Sequence, residues 1–218
     1  SRKPSPRQAD LEHHLPTSEL LTDRTVQLVL VLAFGSFFFS HSMGGWMPDM
    51  LQHVGWSERG SSWLAAVGVA FGILSALCIP GRVPERHRPN ALAALYLMVA
   101  IAIWALATEI SIAHLVAVPL IGIARVTYVP LAMLILMSAP KVSTKTIGAA
   151  GGLFFTAGEV GGVSGPWMTG VARDAASSFT LAIGMLSGLA IVLSVLAIST
   201  GKRRLLSNYV ESVSDTGP

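Results

Sequence analysis

Six long apolar runs alternate with short polar segments along this chain, at residues 26–46, 61–80, 91–107, 113–137, 147–171 and 179–199. A bilayer's hydrocarbon core takes about 20 predominantly apolar residues per helix. Each run therefore predicts a membrane-spanning helix, and the chain predicts an all-α membrane bundle of six transmembrane helices over residues 26–200. Residues 1–25 carry Pro4, Pro6, Pro16 and charges of both signs, with no signal-peptide core, and are expected to be a polar cytoplasmic linker. Residues 201–218 are expected to be a cytoplasmic tail.

Polar positions within the runs separate the helices. The third and sixth runs contain no Asp, Glu, Lys, Arg or His, which predicts broad lipid contact. The second holds Gly68 and Gly72, a spacing that permits close helix approach and is also common in membrane helices generally. The fifth is glycine-rich, from Gly148 through Gly151, Gly152, Gly158, Gly161, Gly162 and Gly165 to Gly170, which favours tight packing against a moving neighbour.

Charge fixes an expected orientation. Of 15 Lys and Arg in 218 residues, twelve fall in the first tail, the loops after the second and fourth runs, and the last tail. Only Arg59 and Arg173 fall on the other side. The excess of Lys and Arg on cytoplasmic loops predicts both termini cytoplasmic; the expected location is a bacterial-type inner (plasma) membrane, with the chain multi-pass. Composition agrees: 52% hydrophobic, 12% charged, mean hydropathy +0.60, against about a quarter charged in soluble domains. The net charge of +3 is too small to point to nucleic acid. The single Cys78 excludes an intramolecular disulfide and a cysteine-based metal site, and the histidines are too scattered for a metal cluster. No phosphate-cradling loop is present, so no cofactor is expected.

Arg125 is the remaining cation. It sits mid-run, where a charge costs roughly 2.5–3.5 kcal/mol on insertion scales and normally faces a bundle interior or a wet cavity. Arg125 and Glu159 each lie roughly 21–23 Å from the same loop at about 1.5 Å per residue, so they are expected near the midplane, where transporters often place their binding sites. Two readings stand: a static ion pair joining two helices, or Arg125 binding a polar or anionic solute with Glu159 tuning its release. His41 is either a hydrogen-bonded interior histidine or a solute-binding group that changes charge near neutral pH. Trp46 either lines the outer cavity or anchors the interface. Tyr128, three residues from Arg125, is expected to share its face and offer a hydroxyl to the same cavity.

Gly162-Val163-Ser164-Gly165 is similar to the nucleophile motif of rhomboid-type intramembrane proteases, but no histidine follows His114, so Ser164 lacks a downstream base. A membrane enzyme and a non-transporting membrane sensor remain the alternatives to a transporter. The enzyme needs a nucleophile–base pair, which is not visible, and the sensor needs a soluble signalling domain, which neither tail is long enough to supply.

Gly81-Arg82-Val83-Pro84-Glu85-Arg86-His87-Arg88-Pro89 follows the second run, where major facilitator superfamily transporters carry G-x-x-x-D-R-x-G-R-R. Gly81, Glu85 (for Asp) and Arg86 match, while Arg88 and Pro89 depart. Gly165-Pro166-Trp167-Met168-Thr169-Gly170 is similar to that superfamily's G-P-x-x-G-G run, with Thr169 the departure. The stretch from His41 to Leu51 with Gly55-Trp56-Ser57, and Gly158-Glu159-Val160-Gly161-Gly162 with the later Arg173-Asp174, resemble its cyanate/nitroimidazole-type branch. The resemblance implies half of a facilitator fold, built as two three-helix units of inverted topology. It implies that the first and fourth helices line the cavity and that Gly81, Glu85, Arg86, Gly161, Gly162, Gly165 and Pro166 serve packing and gating. No methionine precedes Met43, and the chain resembles a carboxy-terminal half whose amino-terminal six-helix half is missing. The expected function is secondary active transport of a small polar or anionic organic solute by alternating access, with Arg125 as the principal contact, His41, Tyr128, Glu159 and Trp46 around it, and protons as the candidate coupling ion.

Overall fold

The structure, a computed structural model, describes residues 17–214, with side chains described for 19–201. Among the described residues every regular element is a helix. One helical turn, Thr17–Leu20, leads into α1 (Arg24–His53). Asp23 caps α1, accepting from the Thr25 and Val26 N–H groups, which a helix N-terminus otherwise leaves without partners. The chain turns at Gly55, whose φ of +95° suits glycine. Helix α2 (Glu58–Arg82) starts on Ser57, whose hydroxyl accepts from Gly60 N–H.

A 3₁₀ turn, Glu85–His87, precedes α3 (Arg88–Ala102), which tightens into a 3₁₀ stretch over Ile103–Ala107. Helix α4 (Ser111–Met137) contains Pro119 and Pro130, and α5 (Ile147–Ala176) contains Pro166. Helix α6 (Thr180–Ser214) continues past the boundary expected at residue 200, because residues 202–214 contain neither Gly nor Pro to stop it. Of the expected tail, residues 215–218 lie outside the described residues, as do 1–16 of the expected linker. Residues 17–25 already hold the helical turn and the start of α1.

Among the described residues five helices are long and apolar enough to cross a membrane: α1, α2, α3 with its flanking turns, α4 and α6. Together they point to a multi-pass membrane protein. Helix α5 is as long as α1, at 30 residues, or about 45 Å, but is not among the five. Its eight glycines, with Thr156, Glu159, Ser164 and Thr169, dilute its apolarity.

Packing pairs α1 with α5, α2 with α4, and α3 with α6, while α4 also touches α1 and α3. Of the five apolar helices α1 is the most buried and α2 the least. Glycine sets two of the three seams. A Cβ on Gly72 would lie 2.6 Å from the Gly122 carbonyl oxygen, and one on Gly122 would overlap the backbone of Gly68. Along the other seam, Gly161 and Gly165 abut the carbonyls of Phe34 and Phe38, and Gly158 lies under the Phe37 ring. Without side chains between them the backbones approach closely, and dispersion contacts replace the hydrophobic drive that lipid does not supply.

Hydroxyls stitch the helices. Ser36 bonds the Tyr96 hydroxyl at 2.5 Å, joining α1 to α3. Ser75 lies 2.8 Å from the Thr127 hydroxyl, joining α2 to α4. Ser187 and Ser194 on α6 donate to the carbonyls of Ala100 and Ala93 on α3.

Candidate functional site

Arg125 lies half-buried on α4, clasped to α1 in both directions. Its Nη1 donates to the Ser40 carbonyl at 3.1 Å, and the Ser40 hydroxyl donates to the Arg125 carbonyl at 2.8 Å. One turn further along α1, Gly44 faces the guanidinium; a Cβ there would sit 3.2 Å from Nη1. The absent side chain keeps the guanidinium accessible. A cleft of about 110 Å³ opens beside it between α1, α2 and α4.

Sequence depth places Glu159 level with Arg125, but the two form no ion pair. Their helices barely meet, because each packs mainly on another partner, α4 on α2 and α5 on α1. The static-pair reading therefore has no support in the geometry. Glu159 is exposed on α5, in an apolar groove of about 830 Å³ shared with Phe155, Val163 and Trp167.

His41 is exposed on α1, next to Ser40, with Nδ1 3.0 Å from the Phe37 carbonyl oxygen and its ring stacked on Phe37. Across from it is Gly162, where a Cβ would lie 3.1 Å from the imidazole. Pro166 lacks an N–H, so the Gly162 carbonyl has no intrahelical donor. The imidazole packs against the glycine face of α5 at the α1–α5 seam. Phe37 continues this surface to Phe155 on α5, at 6.2 Å between ring centres.

Tyr128 does not share the cleft. Three residues at about 100° each leave Tyr128 about 60° around α4 from Arg125, and here that turns it into the core. It is fully buried, 4.3 Å between ring centres from Tyr96 and edge-on to Phe39, and its hydroxyl has no hydrogen-bond partner. Trp46 is a packing residue between α1 and α5. Its Nε1 donates to the Pro166 carbonyl at 2.9 Å and its ring lies against Phe179 and Gly170.

The loop expected to gate is exposed at Gly81, Glu85 and Arg86, and Arg86 Nε donates to His87 Nε2 at 3.0 Å. Arg88, the residue that departs from the facilitator pattern, reaches α4, donating to the Leu134 carbonyl and the Ser138 hydroxyl, each at 3.3 Å. Gly161, Gly162 and Gly165 lie on the α5 face that meets α1. The Ser164 hydroxyl donates to the carbonyls of Val160 and Gly161, within its own helix.

Three features escape sequence reasoning. Ser40 and Gly44 form the α1 side of the Arg125 site, and the one available signal is that both are small and spaced four apart. His114 is fully buried at the start of α4. Trp56 Nε1 donates to its Nδ1 at 2.8 Å, so the ring proton sits on Nε2, 3.0 Å from the carbonyls of Ala105 and Thr108. That histidine ties the α1–α2 loop to the ends of α3 and α4.

No protein-family model matches this chain, and no curated protein matches it at a significant level.

Proposed function

We propose that this chain is a six-helix unit of a secondary transporter that moves a small polar or anionic organic solute by alternating access. The observation that carries the reading is Arg125: a guanidinium within a long apolar helix, with no carboxylate partner among the described residues, clasped to α1 and left open by Gly44. An intramembrane cation without a compensating group marks a solute or ion path by default. His41, exposed next to Ser40, adds a ring nitrogen on the adjoining surface.

The packing pattern supports the facilitator-like fold. Exchanging α1, α2 and α3 with α4, α5 and α6 maps the α1–α5 pairing onto α4–α2 and leaves α3–α6 unchanged. It also maps the glycine seam of α2 onto that of α5. Such an exchange is what two inverted three-helix units produce. With α5 counted as a sixth span, alongside α1 over its length, both termini fall on the side that carries twelve Lys and Arg. The exposed faces of α2 and α5 suit a second six-helix unit, which would close the solute cavity opposite Arg125 and His41.

The test is uptake into proteoliposomes of a panel of radiolabelled small carboxylates and amides, driven by an imposed proton gradient. The full-length protein is expected to take up at least one member. Arg125→Ala is expected to abolish that uptake with insertion intact, and Arg125→Lys to leave little of it, because a point charge does not reproduce the planar fork. Undiminished uptake by Arg125→Ala contradicts the site assignment.

A further inference from the structure

The cleft beside Arg125 lies between three helices, α1, α2 and α4. Gly44 and Met47 of α1, Ala65 and Gly68 of α2, and Gly122 of α4 bound it. The Gly68–Gly122 contact closes it on one side. Arg125 supplies the one charged group in the lining. The other lining side chains are Met, Ala and Val, which offer no N–H or O–H donor. A guanidinium carries five N–H donors, and Arg125 places one hydrogen bond, from Nη1 to Ser40. A half-buried cation with no carboxylate partner among the described residues, and with N–H groups beyond that one bond, has donors to offer a counter-ion.

We propose that this cleft holds a single weakly hydrated monovalent anion of halide size, resident beside Arg125. Size bounds the ligand. About 110 Å³ is the share of roughly three or four water molecules at ~30 Å³ each, room for one large halide with a water but not for a sugar or a nucleotide. Charge bounds it as well. Sulfate and phosphate carry more charge and need several strong donors, and a single guanidinium among apolar side chains does not supply them. The lining sets the preference. An ion entering a cleft lined mainly by apolar side chains loses hydration, so the most weakly hydrated halide loses least. Affinity rises from fluoride through chloride and bromide to iodide. The site shares Arg125 with the transport reading but needs no transport, so each can fail without the other.

The experiment titrates the purified full-length protein with sodium bromide and sodium iodide against sodium gluconate at constant ionic strength. Binding is followed by the thermal unfolding midpoint and by calorimetry. The wild type is expected to show a saturable, halide-specific rise in midpoint, tighter for iodide than for bromide. Arg125→Gln is expected to lose it. Gly44→Ala meets only Nη1, at 3.2 Å, and is expected to keep its halide-free midpoint while binding roughly five- to tenfold more weakly through crowding of the cleft. A wild type that responds alike to halide and gluconate overturns the proposal, as does a saturable response retained in Arg125→Gln. If Arg125→Gln fails to accumulate, Gly44→Ala decides, and unchanged halide affinity in that variant overturns it. Uptake in the same preparations is scored separately, so intact uptake without halide binding refutes the ion site alone.

Discussion

Tyr96 and Tyr128 sit against each other in the core, both fully buried, yet only one hydroxyl is satisfied. Tyr96 bonds Ser36, while the Tyr128 hydroxyl has no partner. A buried hydrogen bond contributes about 0.5–1.5 kcal/mol net, whereas removing an unsatisfied group relieves a desolvation cost. Tyr96→Phe is therefore expected to lower stability by about 1 kcal/mol, and Tyr128→Phe to leave it unchanged or raise it. Unfolding in detergent measures both. Uptake by Tyr128→Phe is expected at the wild-type level, because the side chain does not reach the Arg125 cleft; a loss of uptake with normal stability would return Tyr128 to the site.

At the scale of helices, glycine decides which pairs form. Gly122 abuts the Gly68 backbone and Gly161 abuts the Phe34 carbonyl, whereas Gly152 and Gly188 have nothing within 4 Å of an added Cβ. Gly122→Ala and Gly161→Ala must push two backbones apart, at an expected cost of about 1–3 kcal/mol or more for such overpacking. Gly152→Ala and Gly188→Ala are expected to be tolerated, with a small gain from helix propensity. Thermal stability and monodispersity of the four variants check this, and equal effects across them would contradict the seam assignment.

The same seams show how far the sequence reaches. Span length is legible because bilayer thickness dictates it: among the described residues five of the apolar runs coincide with segments long and apolar enough to cross a membrane, while the run at 147–171 falls on α5, which is not among them. The rise per residue gives an expected depth but no azimuth, which depends on which faces interlock. Arg125 and Glu159 can be level without meeting, and Tyr128 can be three residues from Arg125 yet turned into the core. Ser40 and Gly44 are small residues among many, and only the packing of α1 on α4 distinguishes them. Helix α5 is the inverse case: its glycines and polar residues weaken the hydropathy signal and also let it nest against α1.

At the scale of the molecule, the helix pairings, a guanidinium with no carboxylate partner among the described residues and the lopsided Lys and Arg distribution together support the proposed arrangement. In it Ser40, His41 and Gly44 of α1 border a wet path that opens to either side of the membrane in turn. Site-directed accessibility at position 41 tests this most directly. Cys78 is exposed and would react itself, so the background is Cys78→Ser, with His41→Cys as the single thiol in sealed vesicles of defined orientation. A membrane-impermeant methanethiosulfonate reagent is applied from each side separately. The expected result is modification from both sides, each slowed when the protein is held open to the other. Modification from one side only, or from neither, would contradict alternating access at this site.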